Sequence, residues 1–236
     1  MQAKRQRKFT KLMSTKKNDK IENIYILGDS YSTYEGYIPS ENKVFYSMHG
    51  RPDRPVSKMK REHTWWDRLI KKQKYNLVLN DSWSGSTLCH TGYGGEDCSK
   101  TNSFICRTRK LVEKGFFEKT KIDKVFVFGA TNDSWADAPL GEQKCENFEE
   151  KDLFSVLPAI CYLMRLLKQN LPSADIYFVI NDGIKPEIGE CIKEQSKLLG
   201  INFVELKKVS KKERHPDKKG MKDIYKQVLK KVRTNV

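Results

Sequence analysis

A short apolar run ends abruptly in Gly28-Asp29-Ser30, and further hydroxyl side chains follow it. Residues 24–27 are Ile, Tyr, Ile and Leu, a composition typical of a buried strand. A serine that follows glycine at the tip of a strand can belong to an ordinary turn, or it can be presented there as a nucleophile. The rest of the chain decides between these two interpretations of Ser30.

Apolar runs of two types alternate along the chain. Five runs are short, rich in β-branched or aromatic residues and nearly continuous, as strands buried on both faces are. Between them, apolar residues recur with helical spacing, which predicts amphipathic helices that begin near Trp65, Leu153, Ile188 and Met221. Strands alternating with helices predict a parallel α/β sheet with helices on both faces. The predicted strands are 24–27, 77–79, 125–128, 176–180 and 201–204.

Four polar segments fall where such a fold can bind ligands. Parallel sheets of this kind bind ligands at the carboxyl ends of their strands, and "GDSYS" follows the first strand there. "NDSWSGST" follows the second strand, "GATND" follows the third, and "RHPDKKGM" lies close to the C-terminus. The loops after the first three strands are long and rich in Trp, Tyr and Gly, which is typical of loops that carry function.

The order and spacing of these four segments resemble those of the SGNH/GDSL hydrolases, a family of serine esterases and acylhydrolases. The resemblance covers about residues 21–235, and "TWWDRLI" and "GATNDSWADAPLGE" are similar to gut-bacterial members. It implies a three-layer α/β/α, flavodoxin-like fold with five parallel strands in the order 2-1-3-4-5. The chain then divides into a basic N-terminal arm, residues 1–20, and a hydrolase domain, residues 21–236.

The resemblance also implies a role for one residue of each segment. Ser30 would attack an ester carbonyl, and His215 would be the base that takes the proton of its hydroxyl group. The backbone N–H groups of Ser30 and Gly85 and the side-chain amide of Asn132 would stabilise the oxyanion that forms. The other histidines, which lack the context of His215, are expected to be surface or pocket residues.

Two positions depart from the family pattern. The family usually has an aspartate three residues before the histidine, and here that position is Lys212, which cannot accept a hydrogen bond from the ring. Either Glu213 supplies the missing carboxylate, or a backbone carbonyl or water orients His215. Ala130 stands where the pattern often has glycine, and its methyl group is expected to be tolerated.

The net charge of +15 belongs to the two ends of the chain. Residues 1–20 carry +7 and residues 207–236 carry +9, so the body carries only −1. We interpret the ends as a disordered arm and a lysine-rich solvated helix face, which disfavours a nucleic-acid partner. No run approaches the roughly 18–20 apolar residues of a membrane span, and no secretory signal is recognisable.

The six cysteines form no C-x-x-C pair and fit no common metal-ligand spacing. Neither a metal nor another cofactor is expected. The cysteines are predicted to be reduced, as in a cytoplasmic protein, although their even number leaves a disulfide open and the native start and export are also open.

The sequence therefore predicts a serine-dependent esterase that removes an acyl group, most simply an O-acetyl group from a carbohydrate. A lipid acylhydrolase is one alternative, and a catalytically weak binding module with basic ends for an anionic partner is another. The oligomeric state is not determined. Aromatic residues near the four segments are candidates to stack on a sugar ring or acyl chain, although Trp65 or Trp66 is expected in the core. These residues are Tyr31, Tyr34, Tyr37, Trp65, Trp66, Trp83 and Trp135.

Overall fold

A computed structural model describes residues 21–234, and its centre is a sheet of five parallel strands. Their order, β2-β1-β3-β4-β5, is the predicted one, and each strand contains or overlaps a predicted apolar run. Every neighbouring pair in the sheet is parallel. The strands are β1 (Asn23–Gly28), β2 (Asn76–Ser82), β3 (Lys124–Gly129), β4 (Asp175–Ile180) and β5 (Asn202–Glu205).

Seven α-helices lie in the described part of the chain, and the longer ones cover both faces of the sheet. They are α1 (Trp65–Gln73), α2 (Phe104–Glu113), α3 (Phe116–Lys119), α4 (Thr131–Trp135), α5 (Val156–Asn170), α6 (Pro186–Leu199) and α7 (Lys218–Thr234). Helices α1 and α7 pack in the same core as Ile24 and Ile26 of β1. Helices α2, α5 and α6 pack with Tyr25 and Leu27. Because successive strand residues face opposite sides, β1 contributes to both cores, and the three-layer prediction is confirmed.

The register of the central strands brings their carboxyl ends together around Gly28. Gly28 pairs with Ser82 of β2 and with Phe128 of β3. A Cβ atom at Gly28 would lie 2.4 Å from the Ser82 Oγ atom and 2.7 Å from the Ser32 Cβ atom, so the close approach requires glycine. The segment after Gly28 therefore lies against the ends of both neighbouring strands.

Several local features differ from the sequence prediction. Helix α2 was not predicted, because arginines and a lysine interrupt its apolar face. Leu153 lies in a 3₁₀ helix, Glu150–Phe154, and α5 begins only at Val156. A short antiparallel hairpin of β6 (Lys211–Lys212) and β7 (His215–Pro216) precedes α7.

The prediction that all cysteines are reduced is wrong for one pair. Cys145 and Cys161 form a disulfide, with their Cα atoms 5.0 Å apart. The loop before α5 folds back on that helix, a contact that the apolar helical pattern around Cys161 does not reveal. Cys89, Cys98 and Cys106 are buried free thiols, as is Cys191.

The ends of the chain bear on two further predictions. The basic arm, residues 1–20, lies outside the described residues. Within residues 21–234, no helix combines the length and the apolar character that crossing a membrane requires.

Candidate active site

Ser30 lies directly after β1, at the carboxyl edge of the sheet. It opens a one-turn 3₁₀ helix, Ser30–Ser32, which is capped by Asp29: the Asp29 Oδ1 atom accepts a hydrogen bond from the Tyr31 N–H at 2.9 Å. The Asp29 N–H donates to the Phe128 carbonyl at 3.1 Å and extends the pairing with β3. Although Ser30 is only 3 % exposed, it lines a cavity of about 380 Å³. The nucleophile candidate is thus held between two strand ends and faces a ligand-sized space.

His215 reaches Ser30 from the far end of the chain. Its Nε2 atom lies 3.1 Å from the Ser30 Oγ atom. The ring is carried by the β6–β7 hairpin, whose two turn residues, Glu213 and Arg214, have positive φ angles of 51° and 66°. Positive φ at both positions is the geometry of the tight two-residue hairpin turn. The turn therefore fixes the position of the His215 ring relative to Ser30.

Two tyrosines attach this turn to the body of the protein. The Tyr31 hydroxyl donates to the Arg214 carbonyl at 2.5 Å, and the Tyr46 hydroxyl donates to the Pro216 carbonyl at 2.9 Å. Both tyrosines are fully buried. Since Tyr31 follows Ser30 in sequence, one segment carries the serine and also holds the loop of its histidine partner.

The other ring nitrogen of His215 contacts the backbone of Glu213. The Nδ1 atom lies 3.1 Å from the Glu213 carbonyl oxygen, which can only accept a hydrogen bond. Nδ1 therefore carries the proton, and Nε2 is left free to accept from the Ser30 hydroxyl. The sequence left open whether the Glu213 carboxylate or a backbone carbonyl contacts the ring. In the structure the contact is with the Glu213 carbonyl, and among the described residues no hydrogen bond joins the Glu213 carboxylate to the ring.

The surroundings of His215 keep the imidazole neutral. Burial lowers its pKa from 6.5 to about 4; the Glu213 carbonyl opposes this, whereas the charges of Arg54, Arg51 and Lys211 lower the pKa further. Phe45 stacks on the ring with centroids 3.8 Å apart and planes at 9°. A neutral, fixed imidazole can act as a base at neutral pH.

Gly85 and Asn132 line the same cavity as Ser30. Gly85 has a φ of +85°, and apart from its chain neighbours no heavy atom lies within 4 Å of the position that a Cβ would take, so there is open space on that side of the residue. The Asn132 Nδ2 atom donates to the Ser86 carbonyl at 2.9 Å, and its Oδ1 atom accepts from the Tyr93 hydroxyl at 2.8 Å. The structure thus brings the four predicted residues, Ser30, Gly85, Asn132 and His215, to one cavity.

Buried polar contacts join the second and third segments. The Asp133 carboxylate accepts hydrogen bonds from the backbone N–H groups of Leu88 and Cys89 at 2.9–3.0 Å. Burial raises the pKa of Asp133, and these hydrogen bonds counteract that effect. Ala130, at a position where the family pattern often has glycine, has a φ of +67° just before α4, which explains the usual preference for glycine there.

Most of the predicted aromatic residues lie away from the cavity. Trp65 and Trp66 are both in the core, Tyr31 and Tyr34 are buried, and Tyr37 lies on the surface. Of the aromatic candidates from the sequence, Trp135 lines the cavity. Of the other histidines, His49 is exposed, His63 is partly buried and His90 is buried.

Sequence reasoning missed several residues that line the cavity. Lys43, Phe45, Arg51 and Arg54 come from the loop after β1, and Tyr93 comes from the loop after β2. The one available signal was the pair of arginines in "RPDRP", within a long loop near the four polar segments.

Family models and solved structures were then compared with the chain. The model of the GDSL-like lipase/acylhydrolase family matches residues 22–232. A candidate GDSL-like lipase from Bacteroides ovatus is 39% identical, with a TM-score of 0.83 over 91% of this chain and 99% of its own. A second candidate GDSL-like lipase, from Bacteroides uniformis, is 37% identical, with a TM-score of 0.80 over 92% of this chain and 97% of its own.

A more distant structure shares the fold. It is an acetyl xylan esterase from the rumen bacterium Butyrivibrio proteoclasticus, 15% identical, with a TM-score of 0.58 over 91% of this chain and 64% of its own. The comparison with curated proteins gave no significant match.

Proposed function

The chain belongs to the GDSL-like lipase/acylhydrolase family and is an ester hydrolase, and we propose that it removes acetyl groups from carbohydrates with Ser30 as nucleophile and His215 as base. The observation that carries this proposal is the 3.1 Å approach of the His215 Nε2 atom to the Ser30 Oγ atom. An alcohol is a weak nucleophile until a base takes its proton, and this contact supplies that base.

The acylation step begins with proton transfer from the Ser30 hydroxyl to His215 Nε2. The Oγ atom bonds to the acetyl carbonyl carbon, and the carbonyl electron pair moves to its oxygen. When this tetrahedral intermediate collapses, the bond to the sugar oxygen breaks, and the proton on Nε2 passes to that oxygen. Acetyl-Ser30 and the free sugar hydroxyl result.

Deacylation repeats these steps with water. His215 takes a proton from the water molecule, whose oxygen attacks the acetyl-Ser30 carbonyl carbon. Collapse releases acetic acid, and the proton on Nε2 returns to the Ser30 oxygen. The enzyme is thereby regenerated without any cofactor.

Three donors can stabilise the oxyanion in both steps. The Ser30 and Gly85 N–H groups make no hydrogen bond to another described residue, so both are available. The Asn132 amide donates one hydrogen to Ser86 and has a second that can face the cavity. Removing one such donor typically costs about 10²–10³ in turnover.

The cavity supports a small polar substrate. It is open and lined by both aromatic and polar residues, among them Tyr93 and Trp135, whose rings suit the apolar face of a sugar. Among structures that share the fold, one is named an acetyl xylan esterase, which is compatible with the same substrate class here.

The test is to label the protein with a fluorophosphonate probe and to locate the adduct by mass spectrometry. We expect the adduct on Ser30, and we expect Ser30→Ala to lose both labelling and hydrolysis of acetylated xylo-oligosaccharides. Ser134→Ala, at a serine outside the cavity lining, is the matched control. An adduct elsewhere, or equal rates for Ser30→Ala and the parent, contradicts the proposal.

Two further measurements distinguish the alternatives, a lipid acylhydrolase and a binding module. Faster hydrolysis of long-chain lysophospholipids than of acetylated sugars would establish the lipid acylhydrolase. Sugar binding without labelling or hydrolysis would establish the binding module.

A further inference from the structure

The cavity that holds Ser30 and His215 carries an excess of positive charge. Among the described residues, four cationic side chains line it, whereas Glu213 is the single acidic residue in the lining. Arg54 and Arg51 also lower the pKa of His215, which makes the imidazole a weaker base. A cavity with an excess of positive charge attracts an anionic substrate more strongly than a neutral one. The four cationic residues are Lys43, Arg51, Arg54 and Arg214.

We propose that the preferred substrate is an acyl ester of an anionic carbohydrate, with a carboxylate or sulfate group close to the ester. This inference rests on the proposed function, because it places the anionic sugar in the cavity where Ser30 reacts. It adds a specificity role for the cationic residues of the cavity, and above all for Arg51 and Arg54.

Arg51 and Arg54 stand on a turn that the fold holds in place. The Arg54 N–H donates to the Arg51 carbonyl at 3.0 Å, and the Arg51 N–H donates to the Oγ atom of the fully buried Ser57 at 2.7 Å. Gly50, just before the turn, has a φ of +70°, and a Cβ there would lie 2.6 Å from the Lys58 Cβ atom. The position of both arginines at the cavity is therefore built into the backbone.

Neighbouring carboxylates neutralise only part of this charge. Asp53 accepts hydrogen bonds from the Nε and Nη2 atoms of Arg51 at 3.3 and 3.0 Å and lies 3.9 Å from Arg54, so one carboxylate is shared by two guanidinium groups. Lys43 and Arg214 form no ion pair with another described residue. The Arg214 guanidinium carbon lies 5.7 Å from the centre of the Trp135 ring, which holds a cation beside an aromatic wall.

The chemistry of these groups suits carboxylates and sulfates. Guanidinium groups present several N–H donors in one plane and bind such oxyanions through paired hydrogen bonds. Because the arginines are partly exposed, water and salt screen the attraction, and the preference for an anion should fall as ionic strength rises.

The experiment compares three sugars that differ in a single group. Monoacetylated methyl glucoside, the corresponding glucuronoside and the corresponding 6-sulfate are each given to the parent enzyme, and kcat/KM is measured by acetate release. We expect at least one anionic sugar to exceed the neutral one by about tenfold or more. The carboxylate and sulfate arms identify which anion is preferred.

The variants then assign that preference to the turn. In Arg51→Gln/Arg54→Gln the ratio of anionic to neutral kcat/KM should fall to within about twofold of one. Using the ratio within one variant cancels any effect of the lost charges on His215. Lys197→Gln/Lys222→Gln removes two exposed lysines from α6 and α7 and should keep the parent ratio.

Two results would overturn the inference. One is a parent ratio near or below one; the other is a preference that survives in Arg51→Gln/Arg54→Gln. Calorimetry with Ser30→Ala gives an independent measure of binding, since equal affinities for methyl glucoside, its glucuronoside and its 6-sulfate also overturn it. Failure of the proposed function looks different, because fluorophosphonate then does not label Ser30.

Discussion

The Tyr93 hydroxyl donates a 2.8 Å hydrogen bond to the Oδ1 atom of Asn132. The Asn132 Nδ2 atom meanwhile donates to the Ser86 carbonyl at 2.9 Å. With a donor at one end of the amide and an acceptor at the other, the two ends cannot exchange places. Tyr93 therefore orients the group that we assign to the oxyanion.

Tyr93→Phe should lower kcat about 3–10-fold, with a smaller change in KM, because the amide loses the contact that fixes its orientation. Asn132→Ala should lower kcat about 10²–10³-fold. The measurement is a double-mutant cycle on p-nitrophenyl acetate. If Tyr93 acts through Asn132, Tyr93→Phe has almost no effect in the Asn132→Ala background; an equal effect in both backgrounds would contradict this positioning role.

The pH profile should reflect the low pKa of His215. Only the neutral imidazole can take the serine proton, and its pKa is lowered from 6.5 to about 4, mainly by burial. We therefore expect kcat/KM to stay level from pH 7 down to about pH 5 and to fall as pH drops through about 4. An acid limb near 6.5 that persists when Asp29 is replaced by Asn would show that the pKa of His215 is not lowered in this way.

Asp29 is the control for this assignment. Burial raises its pKa to about 7, so its titration could add a second limb to the profile. Asp29→Asn removes that titration, and a limb near pH 4 that persists in this variant belongs to His215.

Arg107 is expected to be important for stability rather than chemistry. Its Nη1 atom lies 2.9 Å from the Asp81 Oδ1 atom, its Nη2 atom donates to the Gly28 carbonyl at 3.2 Å, and both side chains of the ion pair are buried. Arg107→Leu leaves Asp81 without its cation and should lower the free energy of unfolding by about 3–5 kcal/mol. Urea unfolding measures the loss. Arg109→Leu, on the same helix but facing the exposed Glu150, should cost about 1 kcal/mol or less.

Much of the fold could be predicted because its signals are local. Each strand is a compact apolar run, and each predicted helix shows apolar residues at helical spacing, so the parallel sheet followed directly. Ser30, Gly85, Asn132 and His215 were recognisable because the order and spacing of their four polar segments resemble the family pattern, although each segment alone is a weak signal. The prediction places all four at the sheet edge, where the structure has them lining one cavity.

The missed features depend on contacts between distant parts of the chain. Phe45 and Tyr93 come from long loops without periodicity, and only tertiary packing places one on His215 and the other on Asn132. The pairing of Cys145 with Cys161 likewise requires the loop to return to α5. The burial of Arg107 was not recognised because, in the sequence, an arginine that becomes buried looks the same as one that stays exposed to solvent.

The final prediction concerns what orients His215. The Nδ1 atom contacts the Glu213 backbone carbonyl at 3.1 Å, and a carbonyl survives any side-chain substitution. Glu213→Gln should therefore change kcat on p-nitrophenyl acetate by less than about threefold, and Glu213→Gly should do the same while suiting the φ of 51°. Glu213→Pro, whose ring fixes φ near −65°, should disrupt the turn and lower kcat by about 100-fold or more while the far-UV spectrum stays unchanged. Loss of a triad acid costs about 10⁴ in a well-studied protease. A loss of hundreds-fold in Glu213→Gln would accordingly show that the carboxylate, and not the backbone, supports the imidazole during turnover.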